Sequence, residues 1–238
     1  MTQPKYIVVL TGSGISAESG VATFRDKDGV WAKYDFREVA TPEGFAANPA
    51  LVHDFYNARR RALPSVEPND AHRALAELES GLAAKGGRLT LITQNVDDLH
   101  ERGGVKNVLH MHGELLKSTC GACGDIRDWR EDLSAELVCN ACDRSGALRP
   151  YVVWFGEIPR HMDEAADAIM SADLFVSIGT SGSVYPAAGF VSEARALGVP
   201  ATEINLEPSE NAALFNDSRY GPATKVVPQW VREVLGEG

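Results

Sequence analysis

Hydrophobic positions follow two rhythms along the chain. Short strand-like stretches, most of them apolar or β-branched, occur at residues 5–10 (KYIVVL), 88–93 (RLTLIT), 174–178 (LFVSI) and 201–205 (ATEIN). Runs of this kind read as parallel strands buried on both faces. Between them, apolar residues recur three and four apart. Residues 71–84 place them at 71, 74, 75, 78 and 82, a helical stripe that Gly86-Gly87 stops. Residues 162–170 and 187–197 read as further helices, the second followed by Gly198 and Pro200. Residues 225–227 are expected as a short fifth strand before a C-terminal helix over 228–235. Alternating strands and helices predict an α/β fold, a doubly wound parallel sheet.

Two stretches break this alternation. Residues 26–68 carry loop and helix patterning without a strand. The second stretch contains every cysteine of the chain. Both read as insertions into the α/β unit. The expected organisation is a single catalytic domain, with a large Rossmann-like lobe of about residues 1–25, 69–115 and 150–238. A small zinc-ribbon and helical lobe would take about 26–68 and 116–149, with the zinc module at 120–142.

Composition narrows the function classes. A 44% hydrophobic chain of 238 residues can bury a real core. Its apolar runs fall far short of the ~18 residues that a membrane span needs. The N-terminus shows no basic region followed by an apolar stretch, so a cytoplasmic protein without membrane contact is expected. A net charge of −10 argues against direct nucleic-acid binding.

Cys120, Cys123, Cys139 and Cys142 form two C-x2-C knuckles in zinc-ribbon spacing. Two intervening residues let a tight turn aim both sulfurs at one point, and two such turns complete a tetrahedral thiolate site. Disulfides do not suit a cytoplasmic chain, and a redox pair needs no second knuckle. Four protein ligands leave no open position, so one structural Zn2+ is expected.

Ligands of open α/β sheets bind beyond the carboxyl ends of the strands. The first strand is followed by Gly12-Ser13-Gly14-Ile15-Ser16-Ala17, which fits G-x-G-x-x-(G/A). Such glycines let backbone amides approach a pyrophosphate. The next three strands are followed by Gln94-Asn95-Val96-Asp97, Gly179-Thr180-Ser181-Gly182 and Asn205-Leu206-Glu207. Together these clusters predict a nucleotide-sized polar crevice. No G-K-(S/T) follows the first glycines, so an ATP-type loop is not supported. The polar and aromatic segment Thr23-Phe24-Arg25-Asp26-Lys27-Asp28-Gly29-Val30-Trp31 stands where a dehydrogenase would run helix, strand and acidic residue. It reads as a lid over the cofactor and disfavours hydride transfer.

These motifs resemble the sirtuin family, the NAD-dependent protein lysine deacylases. The resemblance rests on Gly12 to Ser16 with Phe24-Arg25, Thr93 to Asp97, His112-Gly113-Glu114, the four cysteines, Gly179-Thr180-Ser181 and Asn205-Leu206-Glu207, in family order. Ser13 stands where the family usually has Ala, and Ala22 where many members have Pro; neither change removes a reactive group. The resemblance implies a cleft between the two lobes that holds NAD and an acylated lysine. Gly12, Ser13, Gly14, Ser16, Thr23, Phe24, Arg25 and Trp31 would bind or cover the phosphate side of NAD, with Gly179, Thr180 and Ser181 nearby. Gln94, Asn95, Val96 and Asp97 would line the ribose and nicotinamide pocket. Asn205, Leu206, Glu207 and Ala223 would lie near the adenosine.

Of six histidines, the motif selects His112 as the general base, although His110 shares its side if the segment is extended. The implied reaction starts with attack of the acyl-lysine carbonyl oxygen on the ribose carbon as nicotinamide leaves. His112 then takes a proton from a ribose hydroxyl, and water finally releases lysine and O-acyl-ADP-ribose. Val153-Trp154-Phe155-Gly156-Glu157 on one side and Gly182-Ser183-Val184-Tyr185 on the other resemble the segments that sandwich a substrate peptide as an added strand, with Val153, Phe155, Gly156, Glu157, Gly182 and Val184 as the expected contacts.

Residues 49–63 read as a helix in which Val52, Tyr56, Arg59 and Leu63 share one apolar face. Arg60 and Arg61 are expected to point elsewhere, into solvent. A half-buried guanidinium needs an anion, and a carboxylate of this chain would serve. The resemblance offers a sharper alternative. Tyr-x-x-Arg here marks the subclass that removes succinyl, malonyl or glutaryl groups, with Tyr56 and Arg59 holding the acyl carboxylate. Dual deacetylase and desuccinylase activity on acyl-lysine proteins is the resulting expectation. Protein ADP-ribosylation from NAD is the alternative, and the oligomeric state stays open.

Overall fold

A computed structural model of the chain describes residues 4–23 and 29–236, apart from the Trp31 side chain. Phe24 and Arg25 lie outside the described residues, as does most of the segment expected to form a lid. The elements begin with β1 (Tyr6–Thr11), α1 (Gly14–Ala17), α2 (Val30–Lys33), α3 (Phe36–Val39), α4 (Pro42–Ala47), α5 (Pro49–Ala62) and α6 (Asp70–Ala84). Next come β2 (Arg88–Thr93), α7 (Leu99–Gly103), β3 (Val108–His110), β4 (Gly113–Cys120), β5 (Ile126–Asp128) and β6 (Leu148–Val152). Then follow α8 (Met162–Met170), β7 (Leu174–Ile178), α9 (Phe190–Ala196), β8 (Ala201–Asn205), β9 (Asp217–Tyr220) and α10 (Ala223–Leu235).

The main sheet has six parallel strands in the order β3-β2-β1-β7-β8-β9. The winding reverses between β1 and β7, which places the crevice at their carboxyl ends. Helices cover both faces. Leu75, Leu78, Trp230 and Val231 of α6 and α10 pack on one side of the sheet. Ile169, Phe190 and Val191 of α8 and α9 pack on the other. Burial on both faces explains the unbroken apolar runs of β1 and β7.

The C-terminal part departs from expectation. Residues 225–227 are not a strand; they lie inside α10, which carries Pro228 within it. Val227, Trp230, Val231 and Leu235 form its buried stripe, so packing overrides the β-branched Val226-Val227 pair. The outer strand is β9, of sequence DSRY, which hydropathy cannot reveal. It is held by backbone register, Thr202 to Asp217 and Asn205 to Tyr220. The expected helix over 187–197 begins with a 3-10 turn, Ala187–Gly189, before α9.

A second sheet, of order β5-β4-β6, is antiparallel and carries the first knuckle at the end of β4. Helix α5 packs against it. Asn48 caps α5 by accepting from the Leu51 amide, and Pro49 occupies the first turn. Val52, Phe55, Tyr56 and Leu63 join Leu115, Val152 and Trp154 in one cluster.

Arg60 is not solvated. It is 1% exposed, with Nε donating to the Leu115 carbonyl at 3.0 Å and Nη1 to Asn57 Oδ1 at 2.7 Å. Asn57 in turn donates to the Leu133 carbonyl (2.8 Å) and accepts from the Leu133 amide (2.9 Å). The polar face of α5 is therefore buried under the loop between the knuckles. Arg61 does point outward, paired with Asp132.

Candidate active site and metal centre

A cleft of about 900 Å3 runs from the carboxyl ends of β1, β2, β7 and β8 to α5 and the segment after β6. Its floor is built from backbone. Gly14 donates its amide to the Gly179 carbonyl at 2.9 Å, locking the loops after β1 and β7 together. A Cβ on Gly14 would lie 2.8 Å from the Gly179 Cα, and one on Gly179 (φ +63°) 2.6 Å from the Ile15 nitrogen. Only glycine permits that approach. Asn205 Nδ2 donates to the Thr180 carbonyl at 2.7 Å and fastens the loop after β8 to the same floor.

Of the expected cofactor residues, Gly12, Ser13, Gly14, Thr23, Gln94, Asn95, Val96, Gly179, Thr180, Ser181, Asn205, Leu206, Glu207 and Ala223 line the cleft. Ser16 and Asp97 do not; both are buried one layer behind it. Asn95 Nδ2 donates to Ser16 Oγ (3.2 Å), which donates to Asp97 Oδ2 (3.1 Å). Burial pushes the Asp97 carboxyl up to about 6, against hydrogen bonds from the Leu99 amide and Ser16. This pair supports Asn95 from behind.

His112 lines the cleft and has a defined tautomer. Its Nδ1 faces the Gln94 carbonyl at 3.0 Å, an atom that can only accept, so Nδ1 carries the hydrogen. Nε2 keeps its lone pair. Burial pulls the His112 pKa below the ordinary imidazole value, with the Gln94 carbonyl opposing, so the ring is neutral at neutral pH. Gly113 (φ +82°) must be glycine, because a Cβ there would sit 2.1 Å from the Tyr151 carbonyl oxygen. His110 faces two acceptors, the Asn95 carbonyl (3.2 Å) and Glu101 Oε1 (2.6 Å). Burial works against its charge, but Glu101 raises its pKa overall, so it is no free base.

On the other wall, Tyr56, Arg59, Val153, Phe155, Gly156, Glu157 and Val184 line the cleft. Gly182 does not, since it packs against the Asn211 side chain. Glu157 is committed internally. Its carboxylate takes two hydrogen bonds from the Arg149 guanidinium (2.6 and 2.9 Å) and one from the Trp154 amide (2.8 Å).

Arg59 is half-buried, and no carboxylate pairs with it among the described residues. Its Nη1 donates to the Phe55 carbonyl at 2.9 Å, and the guanidinium stacks 3.4 Å from the Phe55 ring centroid. Burial pulls its pKa down, with Tyr56 and Tyr34 opposing, yet a guanidinium keeps its charge. The intrachain salt bridge allowed by the sequence is not formed with any described residue. Glu18, Phe55, Ser209 and Glu210 also line the cleft without having been singled out, and so does Trp154, expected only as part of the peptide-binding segment. Glu18 accepts from the Thr224 amide and hydroxyl at 2.9 and 2.8 Å, a contact between residues 206 positions apart that no spacing rule reveals.

The metal centre is well formed. The four Sγ atoms lie within 4.8 Å of one another, with Cys120–Cys142 and Cys123–Cys139 each at 3.8 Å. A tetrahedral ion with Zn–S bonds of about 2.3 Å requires sulfur edges of about 3.8 Å. Each knuckle closes a turn, Gly124 N–H to the Cys120 carbonyl and Asp143 N–H to the Cys139 carbonyl, both 2.8 Å. Leu133 and Leu148 pack around Cys120 and Cys139. All four cysteines are free thiols positioned to hold a structural metal. Among the described residues, no helix is long and apolar enough to cross a membrane.

A family model for the Sir2 family matches residues 12–186, and the chain belongs to that family. It is 63% identical over 229 residues, 96% of each chain, to a Caulobacter vibrioides protein named NAD-dependent protein deacylase. A Sir2 homologue solved in complex with NAD superposes with a TM-score of 0.89 at 39% identity, covering 99% of this chain and 91% of that one. Sir2Tm bound to a propionylated peptide superposes with a TM-score of 0.80 at 27% identity, covering 99% of this chain and 94% of that one.

Proposed function

We propose that this protein is an NAD-dependent protein lysine deacylase that removes acetyl groups and negatively charged acyl groups, succinyl and malonyl, from lysine. Nicotinamide and O-acyl-ADP-ribose are the other products. The names of its relatives support the NAD-dependent deacylase reading. The loops after β1, β2, β7 and β8 would hold NAD, which would supply the electrophilic ribose carbon and the nicotinamide leaving group.

The chain's own residues divide the remaining work. His112 Nε2, with Nδ1 held by Gln94, accepts the ribose hydroxyl proton. Asn95, braced by Ser16 and Asp97, orients the ribose and nicotinamide side. The segment 153–157 guides the peptide, with Glu157 fixing its turn through Arg149 rather than touching substrate.

The acyl assignment rests on one observation. Arg59 is a half-buried cation in the cleft with no carboxylate partner among the described residues, and Tyr56, three residues earlier on α5, lines the same cleft. A distal acyl carboxylate would supply the missing anion. This also explains how a chain of net charge −10 can take an acidic group. The test is a panel of acetyl, succinyl, malonyl and glutaryl peptides of one sequence, incubated with NAD and read by mass spectrometry. Arg59→Met should lower the succinyl-to-acetyl ratio of kcat/KM by about 10–100-fold, the size of a lost charged hydrogen bond. An unchanged ratio overturns the acyl assignment.

A further inference from the structure

The Tyr56 hydroxyl has its polarity set by a neighbour in the same wall of the cleft. Trp154 Nε1 approaches Tyr56 Oη at 3.1 Å. An indole N–H can only donate, so the phenol oxygen must accept. The phenol hydrogen is thereby turned away from Trp154. Both side chains are nearly inaccessible, Tyr56 at 5% and Trp154 at 2% exposed, so the pair does not trade its bond for water.

Trp154 is itself fixed on several sides. Its amide donates to Glu157 Oε2 at 2.8 Å, and the Arg149 guanidinium stacks 3.5 Å from its ring centroid. Arg149 is anchored in turn by its two-point pair with Glu157 and by a bond to the Val152 carbonyl at 2.8 Å. Phe45 packs against the indole at 5.2 Å between centroids. The indole N–H therefore points one way.

We propose that Trp154 is a positioning residue that holds Tyr56 as a hydrogen-bond donor toward the distal carboxylate of the acyl group, and so contributes to the preference for charged over neutral acyl chains. The inference rests on the acyl-pocket reading of Tyr56 and Arg59. Burial raises the Tyr56 pKa, with the Trp154 bond opposing, so the phenol keeps its proton and remains a donor. A phenol that accepts one hydrogen bond also donates a stronger one.

The experiment measures kcat and KM with acetyl and succinyl peptides of one sequence for the wild type, Trp154→Phe, Tyr56→Phe and the double variant. Trp154→Phe keeps an aromatic ring and deletes the N–H. The expected result is a fall of about 3–10-fold in the succinyl-to-acetyl ratio of kcat/KM, carried by the succinyl KM rather than by kcat. In the Tyr56→Phe background the same change should lower the ratio no further. Equal losses on both substrates, or an additional fall in the double variant, overturn the proposal. If Tyr56→Phe lowers the ratio and Trp154→Phe does not, the proposal fails alone. If Tyr56→Phe leaves the ratio unchanged, the acyl-pocket reading fails and takes the proposal with it. Should Trp154→Phe fold poorly, the benzothienyl analogue of tryptophan at position 154, with sulfur in place of N–H, gives the same comparison at constant shape.

Discussion

The two walls of the cleft are made of different material. The floor at the carboxyl ends of β1 and β7 is backbone, brought together by Gly14 and Gly179 so closely that a Cβ on either would clash. The opposite wall is long side chains: Tyr56, Arg59 and Trp154, held by the Arg149–Glu157 pair and by α5. Backbone geometry changes little when side chains change, whereas a side-chain wall is retuned by single substitutions. The floor therefore suits a fixed cofactor, and the wall suits a variable acyl group. His112 stands where the two meet.

The largest effect should come from that junction. His112→Ala is expected to lower turnover of acetyl and succinyl peptides together, by roughly 10^2–10^4-fold, the range for loss of a general base. A deficit confined to one acyl group, measured as nicotinamide release, would show that His112 belongs to the wall alone.

Metal removal should separate the two walls. Stripping the four-cysteine centre with excess chelator is expected to lower deacylation of both peptides by more than ~10-fold, because a small thiolate module depends on its metal to fold. ADP-ribose binding, followed by calorimetry, should persist within about threefold, since the loops after β1 and β7 hang on the six-stranded sheet. Parallel loss of binding would mean that the two regions fold as one unit.

Arg60 and Arg61 offer a sharper contrast within one helix. Arg60→Met strips donors from the Leu115 carbonyl and Asn57 Oδ1, both buried, and should cost about 2–4 kcal/mol of stability in denaturant melts. Arg61→Met, with the Arg61 side chain 61% exposed, should cost less than about 0.5 kcal/mol. Equal costs would contradict the burial of the polar face of α5.

The smallest expected effect is on pH dependence. His112 must be neutral to act as a base, so kcat/KM should rise with pH through its pKa and then level. Burial lowers that pKa, so the acid limb should fall below the usual ~6.5 of imidazole. An acid limb centred above 7 would contradict the buried, neutral ring.

Much of the floor was legible from sequence because its requirements are local. A strand, a glycine turn and a small polar residue follow one another in a few positions, and the cysteine knuckles need only two-residue spacers. The strands at 88–93, 174–178 and 201–205 stand where the sequence pattern put them. The wall was legible only in part. Periodicity grouped Val52, Tyr56, Arg59 and Leu63 on one face, and that face does turn inward. The adjacent residues His53, Asn57 and Arg60 look like a solvent face at the same spacing, yet all three are buried. Asn57 and Arg60 are covered by the loop at 131–133, more than seventy residues away, and no pattern within α5 announces it. Ser16 and Asp97 were placed on the cleft surface by their motifs, but a motif does not distinguish the wall from the layer behind it.

The sequence by itself determined the parallel sheet, the four-thiolate centre and the glycine floor. Each depends on neighbours within a few residues, where covalent geometry leaves few options. Tertiary structure alone decided that Arg59 has no carboxylate partner among the described residues, that Arg60 is buried, and that Trp154 sets the polarity of Tyr56. It also decided that the polar segment 217–220 completes the sheet. These are questions of which distant group lies within hydrogen-bonding reach, about 3 Å. A chain with 33 acidic residues offers many partners to any arginine, and only the fold selects among them.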